Sequence, residues 1–373
     1  CMVRAVSVGC LLLLVVLGNL GVVAAQDSAG RADAEELAQV FSRGSPEEVR
    51  AAIAAGADIE GRYSRTYIAG MCYGAARSYE RMIKSEHSYT PLMLASTSHG
   101  PDRIKALLEL GADVHARTEG GLTALMIASC LGSPENVRVL LEAGADIEAR
   151  SVNGWTALIF ASGAYYFQDP EWRASEIIPV LVEAGANPNL YDYTGRGALY
   201  AAIDFNTMPA SNRPAPKVLE NRLSALDVAR MLLERGADPN ARLAQMPPYR
   251  AKLDRGNDVI YAAGTTPLLR AAKAADLPAM KLLLEHGADP TLAPERSGIT
   301  PLLAAAGVGS AEQDTTGRYK TEAQAIEAIE LLLSLGLDVN GTDTRGRTAV
   351  HGAALQGYND VIVYLAGKGA HLD

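Results

Sequence analysis

The stretch TALMIASCLGSPENVRVLLEAGADIEAR, residues 123–150, decides the fold of this chain. Leu125 and Ala128 lie three residues apart, which predicts the apolar face of a first short helix. Ser133 is typical of the N-cap of a second helix, and Gly144 is typical of the left-handed residue that ends one. The stretch therefore predicts two short antiparallel helices. Such a pair buries only one face, so it requires neighbours.

The glycine of this unit recurs along almost the whole chain. Its equivalents are separated by 55, 33, 41, 51, 51, 49 and 33 residues, so two spacings are a bare 33 and the others contain extra residues. The recurring positions are Gly56, Gly111, Gly144, Gly185, Gly236, Gly287, Gly336 and Gly369. A fixed period of this length predicts a stacked array in which each unit contacts mainly the next.

The start of each unit carries a second recurring motif. It reads TPLMLA from Thr90, TALMIA from Thr123, TALIFA from Thr156, GALYAA from Gly197, TPLLRA from Thr266, TPLLAA from Thr300 and TAVHGA from Thr348. Together with the GAD-like turn, this pattern resembles the ankyrin repeat. The resemblance implies an all-α ankyrin-repeat solenoid of about eight helix-turn-helix units with hairpin loops. It also implies a protein that binds other proteins and is not an enzyme.

The expected organisation has three parts. Residues 1–25 are predicted to be a signal peptide, 26–33 a polar linker and 34–373 the repeat array. The repeats are expected at about 34–60, 88–117, 121–150, 154–192, 195–242, 264–293, 298–343 and 346–373. The array ends directly after a GAD-like turn without a polar capping helix, from which we expect more chain beyond Asp373.

The signal peptide is predicted from an apolar run after Arg4 that ends in Val23, Ala24 and Ala25, which suit a cleavage site. It predicts a periplasmic or secreted protein without stable membrane insertion after cleavage. The alternative is an uncleaved N-terminal membrane anchor, because the run approaches the length that spans a bilayer.

Five insertions interrupt the repeats, at about residues 61–89, 164–173, 203–222, 243–263 and 307–322. They hold ten of the fifteen tyrosines: Tyr63, Tyr67, Tyr73, Tyr79, Tyr89, Tyr165, Tyr166, Tyr249, Tyr261 and Tyr319. The first insertion is also rich in Arg. Because Tyr and Arg are enriched at protein interfaces, the insertions are candidates for completing a binding site. The alternative is that these tyrosines pack the insertions onto the scaffold.

No catalytic or metal-binding constellation is present in the sequence. The six histidines are spread over different repeats without H-E-x-x-H or paired ligand spacing, so we expect no catalytic residue, metal or cofactor. Without the signal peptide, only Cys72 and Cys130 remain, and in an oxidising compartment they form a candidate disulfide. The formal net charge of −9 argues against general nucleic-acid binding.

The resemblance to ankyrin repeats implies where a protein partner would bind. In that family the contacts are made by hairpin tips and by the inner helices of the concave face. The equivalent tip positions here are Arg117, Glu119, Arg150, Asn153, Trp155, Tyr191, Tyr193, Arg196 and Arg345. Trp155 is the sharpest candidate, because we expect it to be exposed at the tip as an anchor. The alternative is that the nearby insertion covers it.

We therefore expect a monomeric, non-catalytic module that binds a protein partner through the concave face, the hairpin tips and the insertions rich in Tyr and Arg. Two alternatives stay open. The chain could be the binding portion of a longer polypeptide whose enzymatic or membrane domain lies beyond residue 373. The insertions could instead form a pocket for a peptide or a small molecule.

Overall fold

The structure is a computed structural model, and it describes residues 26–63, 88–131, 133–163, 174–207, 223–245, 263–310 and 320–372. Within these ranges the backbone forms α-helices and no extended strand. The helices are α1 Gln26–Arg43, α2 Pro46–Ala54, α3 Pro91–Ala95, α4 Asp102–Glu109, α5 Ala124–Leu131, α6 Pro134–Glu142, α7 Ala157–Gly163, α8 Ala174–Glu183, α9 Ala198–Asn206, α10 Ala225–Glu234, α11 Pro267–Lys273, α12 Leu277–Glu285, α13 Pro301–Ala305, α14 Glu322–Ser334, α15 Ala349–Gln356 and α16 Asn359–Gly367.

The helices come in pairs, with one inner and one outer helix in each of the eight repeat ranges. The recurring threonine caps many of the inner helices. Thr90, Thr266 and Thr300 each accept a hydrogen bond from the backbone N–H three residues later, over 3.3, 3.2 and 3.4 Å. Each is followed by proline at the first helical position, where its missing N–H costs nothing. The all-α repeat architecture predicted from the sequence is thus confirmed.

The glycine that follows each outer helix ends it in the left-handed conformation. Gly144 has a φ of 87°, and a Cβ placed on it would meet no atom within 4 Å. The backbone conformation, and not a lack of space, therefore requires glycine at this position.

Adjacent repeats pack through their inner helices to form a continuous hydrophobic core. One position of the inner helix, three residues after the capping threonine or its equivalent, shows this packing. Its occupants in the second to seventh repeats are all buried: Met93, Met126, Ile159, Tyr200, Leu269 and Leu303. In the eighth repeat the same position, His351, is exposed, and so are Leu355 and Val363.

The first insertion is closed at its base by a short backbone pairing. The N–H of Tyr63 donates to the carbonyl of Tyr89, and the N–H of Tyr89 donates to the carbonyl of Tyr63, both over 2.9 Å. The ring of Tyr63 lies 5.2 Å from that of Phe41 in the first helix. Both ends of the insertion are therefore fixed against the first and second repeats.

The start of the array differs from the prediction. Residues 26–33, expected to be a linker, form the first turns of α1. The polar composition of this segment predicts a loop, but the segment continues, toward its N-terminus, the helix that carries the apolar positions of the first repeat.

Several predicted features lie outside the described residues. They are the signal peptide at 1–25, Cys72, and most of each insertion, namely 64–87, 164–173, 208–222, 246–262 and 311–319. Eight of the ten insertion tyrosines fall within these gaps: Tyr67, Tyr73, Tyr79, Tyr165, Tyr166, Tyr249, Tyr261 and Tyr319.

Candidate partner-binding surface

The hairpin between two repeats is held closed by one side-chain oxygen at its start. Thr118, Ser151, Asp192 and Asp343 occupy this position, and each accepts a hydrogen bond from the backbone N–H four residues later, over 3.0, 3.1, 3.0 and 2.9 Å. Three different residue types thus make the same turn, because each supplies an acceptor oxygen at the same short reach.

Neighbouring hairpins are joined to each other through their backbones. The N–H of Val152 donates to the carbonyl of Gly120 over 2.9 Å, and the N–H of Tyr193 donates to the carbonyl of Asn153 over 3.0 Å. Later in the array, the N–H of Thr344 donates to the carbonyl of Ser297 over 3.0 Å. The tips therefore form a connected row and not a set of independent loops.

Arginine side chains reinforce this row in the first four repeats. Arg62 donates through Nη1 to the carbonyl of Arg117 over 3.0 Å, and Arg117 donates through Nη1 to the carbonyl of Arg150 over 3.1 Å. Arg150 in turn donates through Nη2 to the carbonyl of Tyr191 over 2.6 Å. Each guanidinium is thus fixed to the next hairpin.

A comparison with known families identifies the repeats. The family model for ankyrin repeats in three copies matches residues 37–151 and 92–192, and the model for a single ankyrin repeat matches 263–293. The chain belongs to the ankyrin-repeat family. Ankyrin repeats are generally protein-protein interaction modules without catalytic activity, and the bonded hairpins described above are the element that this family exposes between its helix pairs.

The tip residues predicted from the ankyrin pattern divide into accessible and buried ones. Accessible are Arg117, Glu119, Arg150 and Arg345, which are exposed, and Tyr191 and Tyr193, which are half-buried. Asn153, Trp155 and Arg196 are buried. The expectation that the last three residues are available to a partner is therefore wrong.

Trp155 is a core residue of the ankyrin stack, with only 3% of its surface exposed. Its ring meets that of Phe160 edge-on at 4.9 Å, and the guanidinium of Arg196 lies 5.9 Å from its centre. The position next to the capping threonine points inward in this fold. Leu122 and Ile299 occupy equivalent positions, and both are buried. Their apolar character was the sequence signal that could have placed Trp155 inside.

Val152 is the apolar residue of the hairpins that sequence reasoning missed. The residue is 66% exposed at the tip of the hairpin that follows the third ankyrin repeat. Accessible tip residues predicted from the ankyrin pattern lie on the hairpins on either side of it. We call this surface the hairpin patch, and it consists of Arg117, Glu119, Arg150, Val152, Tyr191 and Tyr193.

The aromatic part of the hairpin patch is held against the scaffold. The hydroxyl of Tyr191 lies 3.4 Å from Oδ1 of Asn189, and a Cβ on Gly197 would come within 2.9 Å of the Tyr191 ring. Burial, and to a smaller extent the charge of Asp238, raises the pKa of Tyr191 above its ordinary value. The phenol, which is protonated at neutral pH in any case, donates its hydrogen bond to Asn189.

The inner helices offer less surface than the ankyrin pattern implies. In the second, third, fifth and sixth repeats, the side chains of the inner helices are mostly buried, namely those over Pro91–Ala95, 124–130, 198–204 and Pro267–Lys273. Among the described residues, the hairpin row is consequently more accessible than the floor formed by these helices.

Charged residues are buried between the inner helices of the fifth and sixth repeats. Nε of Arg270 lies 2.7 Å from Oδ1 of Asp204, and neither side chain has exposed surface. Nearby, Nδ2 of Asn206 donates to Oδ2 of Asp276 over 2.6 Å, while Lys273 is also buried. Because isolated buried charges are costly, these polar contacts favour the observed packing of the fifth repeat against the sixth.

In the part of the chain that the structure describes, no group of three His, Cys, Asp or Glu residues lies close enough to hold a metal ion. None of the helices described combines the length and apolar character needed to cross a bilayer.

Cys130 is buried at the end of an inner helix, and its pairing with Cys72 stays a prediction because Cys72 is outside the described ranges.

Proposed function

We propose that this ankyrin-repeat chain is a non-catalytic module that binds a protein partner through the hairpin patch. The observation that carries this proposal is the exposed Val152, 66% accessible, in a bonded row with the half-buried Tyr191 and Tyr193 and the exposed Arg117 and Arg150. An apolar centre with Tyr and Arg around it has the composition of a protein interface.

The rigidity of the row supports the proposal. Ordering a flexible loop on binding costs conformational entropy, and this cost reduces the affinity. Backbone bonds from Val152 to Gly120 and from Tyr193 to Asn153 fix the tips before a partner arrives. The side chain of Arg150 is likewise held on the Tyr191 carbonyl. Little ordering is therefore left to be done in the complex.

The proposal also includes the concave side and the insertions, which would extend the contact beyond the hairpin patch. The insertions enter and leave the array between described helices, and their tyrosines are of the type that enlarges an interface at modest entropic cost. We further propose that the chain acts in the periplasm or outside the cell, on the strength of the apolar segment before Ala25, and that it does so as a monomer.

The experiment compares three immobilised proteins as baits in an envelope and secreted fraction. The test variant combines Val152→Glu, Tyr191→Ser and Tyr193→Ser. The control is Leu335→Ser, which removes a similarly exposed apolar side chain, 47% accessible, from a turn outside the row. Circular dichroism melts establish that all three are folded, and quantitative mass spectrometry measures each captured protein.

The proposal predicts at least one protein that wild type and Leu335→Ser retain and that the hairpin variant loses. Capture of the same proteins in the same amounts by all three baits would exclude the hairpin patch as the binding surface.

A further inference from the structure

Three arginines form a regular series on the hairpin row. Arg62, Arg117 and Arg150 follow the GAD-like turns of the first three repeats at equivalent positions, and all three side chains are exposed. Each donates one hydrogen bond to the carbonyl of the next member of the row, over 3.0, 3.1 and 2.6 Å. The guanidinium groups are consequently held one repeat apart.

Each guanidinium retains donors for another molecule. A guanidinium carries five N–H donors, and the carbonyl of the next hairpin engages only one nitrogen. Fixing the group in place leaves its fork pre-organised for a carboxylate, which it can bind through two parallel hydrogen bonds.

Nearby acidic side chains are the internal competitors for these guanidinium groups. Glu60 and Glu148 are turned along the stack, where each accepts a backbone N–H of the following repeat over 2.7 Å. The carboxylate of Asp146 lies 3.7 Å from Nη2 of Arg117, which is too long for a strong bidentate pair. The three exposed guanidinium groups thus form a local group of positive charges on a chain whose formal net charge is −9, with Asp146 and Glu119 as the exposed carboxylates beside Arg117.

The spacing of the series selects the shape of its ligand. Helices that pack side by side lie about 8–10 Å apart, so we expect equivalent groups of adjacent repeats to be separated by about this distance. A polyproline II segment rises about 3.1 Å per residue with three residues per turn, so every third side chain lies on one face at intervals of about 9 Å. A β-strand places residues i and i+3 on opposite faces and does not match the row in this way.

We propose that Arg62, Arg117 and Arg150 bind an extended, polyproline II-like segment of a protein partner that carries Asp or Glu at every third residue. This inference rests on the proposed function, since it names the kind of partner that the same hairpin row takes. Each guanidinium pairs with one carboxylate, so the spacing of the three arginines selects a segment whose acidic residues have the same spacing.

The test measures fluorescence anisotropy of labelled synthetic peptides with the whole chain at low salt. The first peptide has four Glu-Pro-Ala units, and the second has the same composition with its four Glu residues adjacent. The third is a helical peptide with Glu at every seventh residue, which repeats at about 10.5 Å. A single-stranded oligonucleotide of similar charge is the fourth probe.

We expect the Glu-Pro-Ala peptide to bind about fivefold or more tightly than the other three probes, because three weak charge pairs act together only when the period fits. Raising the salt to 1 M should abolish binding. Combined Arg62→Gln, Arg117→Gln and Arg150→Gln should remove the preference, whereas Arg345→Gln, an exposed arginine of a distant hairpin, should keep it.

Equal affinity for the adjacent-Glu peptide, or stronger binding of the helical peptide or the oligonucleotide, would overturn the inference. The spacing comparison uses the wild-type chain, so it decides the matter even if the triple variant fails to fold. If the spacing preference is absent while the capture experiment still depends on Val152, Tyr191 and Tyr193, the proposed function stands and this inference falls.

Discussion

Nε of Arg270 lies 2.7 Å from Oδ1 of Asp204, although the two residues are 66 positions apart in the sequence. Both side chains are fully buried, one on the inner helix of the fifth ankyrin repeat and one on that of the sixth. We expect this pair to favour the contact between these two helix faces, because an arrangement that separates the two side chains would bury each charge away from the other.

Replacing Asp204 by Ala should destabilise the array strongly. The substitution leaves the Arg270 charge buried with its acidic partner removed, which typically costs about 3–5 kcal/mol in free energy of unfolding. The combination of Asp204→Leu with Arg270→Met should recover most of this loss, since apolar residues of similar size fill the site without charge. Urea unfolding followed by circular dichroism measures both. A single variant within 0.5 kcal/mol of wild type would contradict the role of the pair.

Trp155→Ala should destabilise the chain strongly and Val152→Ala hardly at all, although the two residues are only three positions apart. Trp155 is buried against Phe160, so its truncation leaves a cavity and should cost about 3–5 kcal/mol. Val152 is exposed, so its truncation should change the free energy of unfolding by less than about 0.5 kcal/mol. Thermal melts of the two variants provide the comparison. Similar melting temperatures would show that the tip is packed differently.

Asn240 should stabilise the contact between the fifth and sixth repeats through both ends of its amide. Its Nδ2 donates to the carbonyl of Gly287 over 3.0 Å, and its Oδ1 accepts from the N–H of Asp289 over 2.8 Å. Asn240→Asp keeps the acceptor and loses the donor, and it adds a negative charge next to Asp289. We expect a loss of about 0.5–1.5 kcal/mol.

Asn189 makes the same two bonds to the carbonyl of Gly236 and the N–H of Asp238, at 2.8 Å each, so Asn189→Asp is the matched second measurement. Urea unfolding of both variants checks the expectation. If neither Asp variant is less stable than wild type, the donor half of these contacts contributes nothing.

Asp343 should make part of the free energy of unfolding dependent on pH. Desolvation by burial raises its pKa, but hydrogen bonds from the backbone and side chain of Arg347 and from the backbone of Arg345 outweigh this and hold the pKa below its ordinary value. Because the folded pKa lies below the unfolded one, the stabilisation is complete above pH about 4 and is lost as the pH falls through the folded pKa.

Asp343→Asn should therefore lower the free energy of unfolding at pH 7 by about 1.5–3 kcal/mol, since bonds to a charged acceptor are lost. The difference from wild type should shrink as the pH is lowered below 4. Urea unfolding between pH 2.5 and 7 measures it, with Glu119→Gln, an exposed tip carboxylate, as the control. A difference that is constant over this range would refute the assignment.

The sequence was sufficient to predict the fold because the period of 33, the capping threonines and the left-handed glycines are local signals repeated many times. Thr266 and Gly287, for example, have the roles expected from their positions. The insertions did not hide the pattern, since they lengthen the spacing without changing the motif at either end.

The binding surface was predictable only in part, because exposure depends on neighbouring repeats. Arg117 and Arg150 are accessible as expected, yet their bonds to the next hairpin depend on how the repeats stack. The expected exposure of Trp155 is wrong because this position faces the next repeat, as the buried Leu122 and Ile299 at the equivalent positions show. Asp204 and Arg270 lie in different repeats that are separated by insertions in the sequence, so no local sequence pattern predicts their contact.

The reciprocal pairing of Tyr63 with Tyr89 has a consequence for how this chain can vary. It brings the two ends of the intervening segment to one point on the scaffold, so the repeats on either side do not depend on the length of what lies between them. The entropic cost of closing such a segment grows only slowly with its length. We therefore expect that the segment between Tyr63 and Tyr89 can be replaced by another sequence. Such a replacement would change the binding specificity of the chain and leave the repeat fold the same.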